Sequence, residues 1–181
     1  MIRLFVGLEL PEDVRFALAG LCGGVPGADW VAIESLHLTL RFIGDITESD
    51  ADDVHDALLR VRAPGFALTL AGVGHFATGE ELRVLWAGVE RNAALTQLQR
   101  NVESALVRMG LAPETRRFHP HVTLARCAGV PAPRAQAFLA QNALFRTGPF
   151  EVDRFTLFSS LRRAEGAIYT AEADYPLPLP A

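Results

Sequence analysis

Lysine is absent from this chain; all 17 basic residues are arginine. Its absence excludes Schiff-base catalysis and a phosphate-binding loop built around a lysine. A bias in coding composition is the plainest cause. Cysteine is scarce. Cys22 and Cys127 form no C-x-x-C pair and no zinc spacing, which excludes a disulfide framework and fits a reduced cytoplasmic chain. Long apolar runs are lacking too, since none approaches the roughly 20 residues of a membrane span. The apolar start MIRLFVGLEL is broken by Arg3 and Glu9 and has no signal-peptide cleavage pattern. Positive charge is not in excess either. A net charge of −4 argues against tight nonspecific binding to long nucleic acid, which needs a basic footprint. A short or terminal nucleotide held by a few local arginines is compatible with it. The expectation is a cytoplasmic monomer with no membrane partner.

What the chain does have is a large apolar fraction, 50% of its residues, enough for a substantial core. Residues 2–10 read as a strand, followed by a helix that Pro11 opens and Gly23–Gly24 close. Residues 36–44 read as a second strand. A helix after Thr47 has a Thr cap, an acidic first turn and a basic end. FALTLAGVGHF and LRVLWAGVE read as two strands around a turn near Gly79. Apolar spacing through Leu95, Leu98, Val102, Leu106 and Met109 predicts a helix over 92–109. FHPHVTLARC, a short helix after Pro131, FEVDRFTLFSSL and AIYTAEADYPL complete the order. Two rough copies of one unit follow from this. The expected fold is α+β, with two pseudo-symmetric lobes in one 1–181 domain. Each lobe is a mostly antiparallel sheet with helices outside and a groove between the lobes.

The groove acquires chemistry from a repeated tetrad. The chain has five histidines, and two of them stand in the same frame, HLTL at 37–40 and HVTL at 121–124. On a strand, alternate side chains share a face. His37 and Thr39 therefore point one way and Leu38 and Leu40 the other, and His121 with Thr123 repeats the arrangement. Two imidazoles across a groove make a general acid and a general base, because histidine titrates near pH 6.5. The two hydroxyls can donate to phosphate oxygens. This set suits in-line displacement at phosphorus without a metal.

A single H-x-T on a strand is ordinarily structural; the recurrence of the pattern is what points to chemistry. His119 and His121 form H-x-H, which on a strand presents two ligands on one face. A metal-dependent phosphoesterase is thus an alternative, although neither tetrad carries a carboxylate to complete a site. His119 otherwise reads as a supporting or surface histidine. His55, in an acidic helix, reads as solvated, and His75 as structural with a possible place on the groove rim. Cys127 shows no sign of a lowered pKa. Arg116–Arg117 and Arg162–Arg163 are local basic pairs, either a rim that attracts an RNA end or solvated turns. A non-catalytic nucleotide or RNA-end binder is the other alternative, against which stands the acid–base pair itself.

HLTLRFIGD and FHPHVTLAR resemble the two signature motifs of the 2H phosphoesterases, and in particular the bacterial RNA 2′,3′-cyclic phosphodiesterase (2′-5′ RNA ligase) family. RLFVGLELP, LRVLWAGV and the tail from LFSSL to ADYPL extend the resemblance over nearly the whole chain. It implies that His37 and His121 are catalytic and that Thr39 and Thr123 bind phosphate. It implies that Arg126 approaches the phosphate or nucleotide and that Phe42 offers a base contact. The implied substrates are RNA ends or small nucleotides bearing a 2′,3′-cyclic phosphate, opened to a 2′-phosphate without a cofactor, with weak 2′-5′ joining in reverse. The chain departs from the family at Ser160-Leu161-Arg162, where Ser-Arg-Leu is usual before Gly-x-x-Tyr; this puts any role for Arg162 or Arg163 in question.

Overall fold

A computed structural model describes residues 1–181. Ten strands and four α-helices follow one another in it. The first half holds β1 (Ile2–Glu9), α1 (Glu12–Ala19), β2 (Ala28–Trp30), β3 (His37–Ile46), α2 (Glu48–Leu58), β4 (Phe66–Leu68), β5 (Leu70–Thr78) and β6 (Glu81–Val89). The second half holds α3 (Ala93–Met109), β7 (His121–Pro131), α4 (Gln136–Gln141), β8 (Phe150–Val152), β9 (Arg154–Arg163) and β10 (Gly166–Pro176). The helix boundaries follow local chemistry. Thr47 caps α2 in a capping box, its hydroxyl accepting from the Asp50 amide while the Asp50 carboxylate accepts from the Thr47 amide. The Asn92 side chain caps α3, and Gly110, at φ 121°, closes it. No helix is long and apolar enough to cross a membrane.

The main sheet runs β10-β9-β1-β3-β7-β6-β5, with β2 along β7. All of its pairings are antiparallel, and its two halves meet at a single residue pair, Leu38 with Val122. One lobe therefore comprises β10, β9, β1 and β3, the other β7, β6 and β5. Each lobe takes its outer hairpin from the other half of the sequence. The β5–β6 hairpin of the first half lies beside β7, and the β9–β10 hairpin of the second half lies beside β1. Both exchanges start alike. Short β4 and β8 pair with each other in a separate ladder, and the chain then enters the main sheet after Thr69 and after Asp153. The stretch FALTLAGVGHF is for this reason two strands, and so is FEVDRFTLFSSL. β2 and the short 3-10 turn Ile33–Ser35 have no periodic signal in the sequence.

One face of the sheet is sealed by helices. α2 and α3 pack side by side against β1 and β3. Leu4, Val6, Leu8, Leu38, Leu40, Val122 and Leu124 join helix residues such as Val54, Leu58, Leu98 and Val102 in a single apolar cluster. The alternating tetrad residues are thereby committed to the core, which fixes the facing of the histidines between them, since a slip of one residue would bury the imidazoles and expose the leucines.

Candidate active site

The Leu38–Val122 pair lies at the centre of the site. Because β3 and β7 run antiparallel, His37 lies toward the Thr123 end of this pair and Thr39 toward the His121 end. The two tetrads are thus related by a local two-fold axis, and the two histidines stand diagonally across this pair. Thr39 and His121 together line one end of an open groove of about 400 Å³.

Both rings are held in the same way. His37 Nδ1 donates to the Ser35 carbonyl at 2.7 Å, and His121 Nδ1 donates to the His119 carbonyl at 2.6 Å. A carbonyl only accepts, so each Nδ1 carries the proton and each Nε2 is left to exchange protons with a ligand. Thr39 donates its hydroxyl to His37 Nε2 at 3.1 Å. Aromatic walls fix the ring planes. His37 packs on Phe5 with centroids 4.7 Å apart and edge-on to Tyr169 at 5.0 Å, with Phe158 beyond. Phe76 is edge-on to His121 at 5.1 Å, with Trp86 at 6.2 Å.

Burial pushes both imidazoles below their ordinary pKa. For His37 the Ser35 carbonyl opposes the shift, while the charges of Arg126 and His121 add to it. For His121 the His119 carbonyl opposes it, and the charges of His119 and Arg126 add to it. Arg126 thus acts on both rings from one position. Simple alternation counted from His121 would turn Arg126 away from the groove. A bulge prevents this: Trp86 pairs with Thr123 but Leu85 with Ala125, so Leu124 and Ala125 both face the core. From there Arg126 returns to the groove side. β3 has its own bulge at the equivalent place, where Gly7 pairs with Thr39 and Val6 with Arg41. It turns Phe42 onto the groove face opposite Phe5. Phe42 and Arg126, each five residues after its histidine, are thus equivalent positions. The Phe42 ring is 44% exposed, lines the groove and carries the Arg3 guanidinium 5.6 Å from its centroid.

The bulge sends Arg41 the other way. It pairs with Glu103 of α3 and donates to the carbonyls of Phe42 and Ala112, the latter two at 2.6 Å. Glu103 also accepts from the Glu114 amide. The loop bearing Arg116, Arg117 and His119 is tied down by this network, and all three residues line the groove. His119 is therefore more than a surface residue, because its carbonyl orients His121 and its ring packs on Trp86 at 5.0 Å. Arg116 is paired with Glu114, whose carboxyl it holds down at about 2.

Other sequence candidates fall elsewhere. His55 is not simply solvated: half-buried, it bonds the Tyr175 hydroxyl at 2.7 Å. His75 pairs with Leu85, whose side chain is in the core, so it projects from the sheet face opposite Phe76 and the groove. Cys127 is buried and its thiol is pushed up by burial, which disfavours the thiolate. Arg162 pairs with Ala167 in the protruding end of the β9–β10 hairpin, beyond the last β1 contact at Ser159. Sequence reasoning did not single out Phe5, Phe76, Trp86 and Tyr169, or the Ser35 and His119 carbonyls. Only the position two residues before each histidine was there to be noticed.

Comparison with known proteins places the chain in a family. Residues 24–164 match the family model of the 2′-5′ RNA ligase superfamily. The RNA 2′,3′-cyclic phosphodiesterase of Aeropyrum pernix is 37% identical over 148 residues, 81% of this chain and 84% of that one. That of Thermotoga maritima is 31% identical over 93% of this chain and 91% of its own. The crystal structure of E. coli LigT complexed with 3′-AMP superposes with a TM-score of 0.78 at 28% identity, covering 97% of this chain and 98% of that one.

Proposed function

This chain belongs to the 2′-5′ RNA ligase superfamily, and we propose that it is an RNA 2′,3′-cyclic phosphodiesterase working without a metal through His37 and His121. The observation that carries the reading is the two-fold arrangement of the imidazoles, each with Nδ1 held by a carbonyl, which leaves Nε2, on His37 bonded only by the Thr39 hydroxyl, as the proton-exchanging atom.

The chemistry runs as an in-line displacement. Water attacks phosphorus, a P–O bond forms, and the P–O3′ bond breaks. One Nε2 takes the water proton and the other Nε2–H gives a proton to O3′, leaving a 2′-phosphomonoester. Thr39 and Thr123 donate to the non-bridging oxygens, and Arg126 balances their growing charge. Lowered pKa values keep both imidazoles neutral in the free protein near pH 7. A bound phosphate anion raises them, so the substrate itself loads the acidic proton. Phe42 supplies a face for the terminal base, worth about 1–3 kcal/mol and tolerant of base identity. With a 5′-hydroxyl in place of water, O5′ attacks phosphorus, the P–O5′ bond forms and the P–O3′ bond breaks, which joins the two ends by a 2′-5′ linkage.

The metal-free reading rests on the acid–base pair itself, since His119, whose ring centroid lies 6.0 Å from that of His121, is placed to orient His121 through its carbonyl. The functional unit is the whole chain, 1–181, as a monomer in the cytoplasm. The lobe carrying His37 needs both chain ends, and a single copy supplies every group named. The test is turnover of a short RNA ending in 2′,3′-cyclic phosphate in the presence of EDTA. The expected result is opening of the ring at an undiminished rate; loss of activity in chelator with recovery on adding a divalent ion would move the chain to the metal-dependent class.

A further inference from the structure

Hydrolysis as proposed uses the reacting phosphate and the terminal base, and leaves the wall of the groove that faces Phe42 without a role. β3 and β7 pair only at Leu38 and Val122 and then separate, which opens a wedge on the Thr39–His121 side of that pair. Arg41 and Phe42 of β3 form one wall of it. The loop from Glu114 to His119 forms the other, and Gln99 of α3 completes the lining.

The three arginines of this wedge differ in what they hold. Arg41 is engaged by Glu103 and by the carbonyls of Phe42 and Ala112. Arg116 lies bidentate on Glu114, with Nε to Oε1 at 3.1 Å and Nη2 to Oε2 at 2.9 Å. Arg117 also lines the groove, but its exposed side chain makes neither an ion pair nor a hydrogen bond. Its loop is nevertheless anchored. Glu103 accepts from the Glu114 amide at 2.8 Å, the Glu114 carboxylate accepts from the Arg116 amide at 3.0 Å, and Pro113 and Pro120 bracket the segment. The backbone beneath the free guanidinium is thus ordered before any ligand arrives.

The stereochemistry of ribose indicates what this wall meets. A 2′,3′-cyclic phosphate bridges one edge of the ring. The base leaves from C1′, next to C2′, and the 5′ chain leaves from C4′, next to C3′. Base and 5′ chain therefore diverge to opposite sides of a line drawn from the phosphate through the ring. With the phosphate at the histidines and the base on Phe42, the 5′ chain is directed at the loop of Arg117.

Resting on the function proposed above, we infer that Arg117 binds the phosphodiester on the 5′ side of the terminal nucleoside. The preferred substrate class is then an RNA end and not a mononucleoside cyclic phosphate. Both present the same reacting phosphate to His37 and His121, and only the RNA end carries a second anion one nucleotide back. Arg117 acts on recognition and takes no part in the proton transfers.

The experiment compares kcat/KM for adenosine 2′,3′-cyclic phosphate with that for the dinucleotide ApA ending in 2′,3′-cyclic phosphate. The wild type should prefer the dinucleotide, and Arg117→Gln should lower that preference about tenfold, the loss expected for one charge-assisted hydrogen bond. Arg117→Lys, which keeps the charge without the fork, should lose less. With an uncharged methylphosphonate in place of the internal phosphodiester, Arg117→Gln and wild type should show the same preference. The logarithm of kcat/KM should also fall with the logarithm of salt concentration more steeply for the dinucleotide, by about 0.7 in slope for one single-strand phosphate. Equal kcat/KM on both substrates in the wild type, an equal fall on both in Arg117→Gln, or an undiminished preference in that variant would overturn the assignment. So would loss of the preference in Arg162→Gln alone, which would route the RNA over the β9–β10 hairpin. Turnover of neither substrate by the wild type would instead overturn the function on which it rests.

Discussion

At the scale of single residues, the account depends on two Nε2 atoms. His37→Ala and His121→Ala should each lower kcat by about 10²–10⁴-fold, the usual worth of a positioned acid or base. Thr39→Val and Thr123→Val should lose less, because each removes one donor and leaves the proton path intact. Either histidine variant at wild-type rate would refute the pairing, provided circular dichroism shows it folded. The pH dependence has a definite sign. Burial pushes both imidazoles below their ordinary value near 6.5 in the free protein, and the proposed mechanism requires one of them protonated and one neutral. That form is most populated between the two pKa values, so kcat/KM should trace a bell with its maximum below pH 6.5. Bound phosphate raises both values, so the kcat profile should lie at higher pH than the kcat/KM profile. A kcat/KM still rising above pH 7 would contradict the assignment. The histidines and threonines were legible in the sequence because a repeated four-residue pattern on strands fixes facing. Their supports were not. The Ser35 and His119 carbonyls have no side-chain signature, and Phe5, Trp86 and Tyr169 come from strands whose neighbours only the fold decides.

At the scale of elements, two bulges do what alternation cannot. Each follows an H-x-T-L and shifts the strand's facing by one residue, which brings Phe42 and Arg126 onto the side of the histidines. Sequence reading placed both near the substrate only through family resemblance, and strict period two would have turned Arg126 away. Thr69 and Asp153 were equally silent. An apolar run reads the same whether it serves one ladder or switches between two. Helices were clearer: the Thr47 cap and the apolar spacing of 92–109 come from local chemistry, and both appear as expected. Gly74 shows how strictly the second lobe is packed. A Cβ there would lie 2.2 Å from the Trp86 ring, which itself backs His119 and His121. Gly74→Ala should therefore destabilise the protein by about 1–3 kcal/mol, as overpacking does. The urea midpoint should fall, and kcat/KM with it. An unchanged midpoint would mean that the indole is free to move.

At the scale of the whole molecule, the exchange of hairpins explains why the two similar halves of the chain are tied into one sheet. β5–β6 supports the histidine of the second half, and β9–β10 that of the first, so neither lobe is complete without chain from both. The order of strands announced two units but not which hairpin each unit keeps, since many pairings satisfy the same alternation. Charge acts at this scale too. With a net charge of −4, attraction comes from a few arginines and not from a basic surface. A site contacting about two phosphates of a single strand should lose less than about tenfold in affinity between 50 and 200 mM salt. A steep loss of 10³ or more would point to an extended RNA track instead. The most direct measurement for the central claim is the identity of the product. RNA ending in 2′,3′-cyclic phosphate is incubated with the protein in EDTA and resolved against 2′- and 3′-phosphate standards. The account predicts the 2′-phosphate alone, with none formed by the His37→Ala, His121→Ala double variant. A 3′-phosphate, or an equal yield from the double variant, would contradict it.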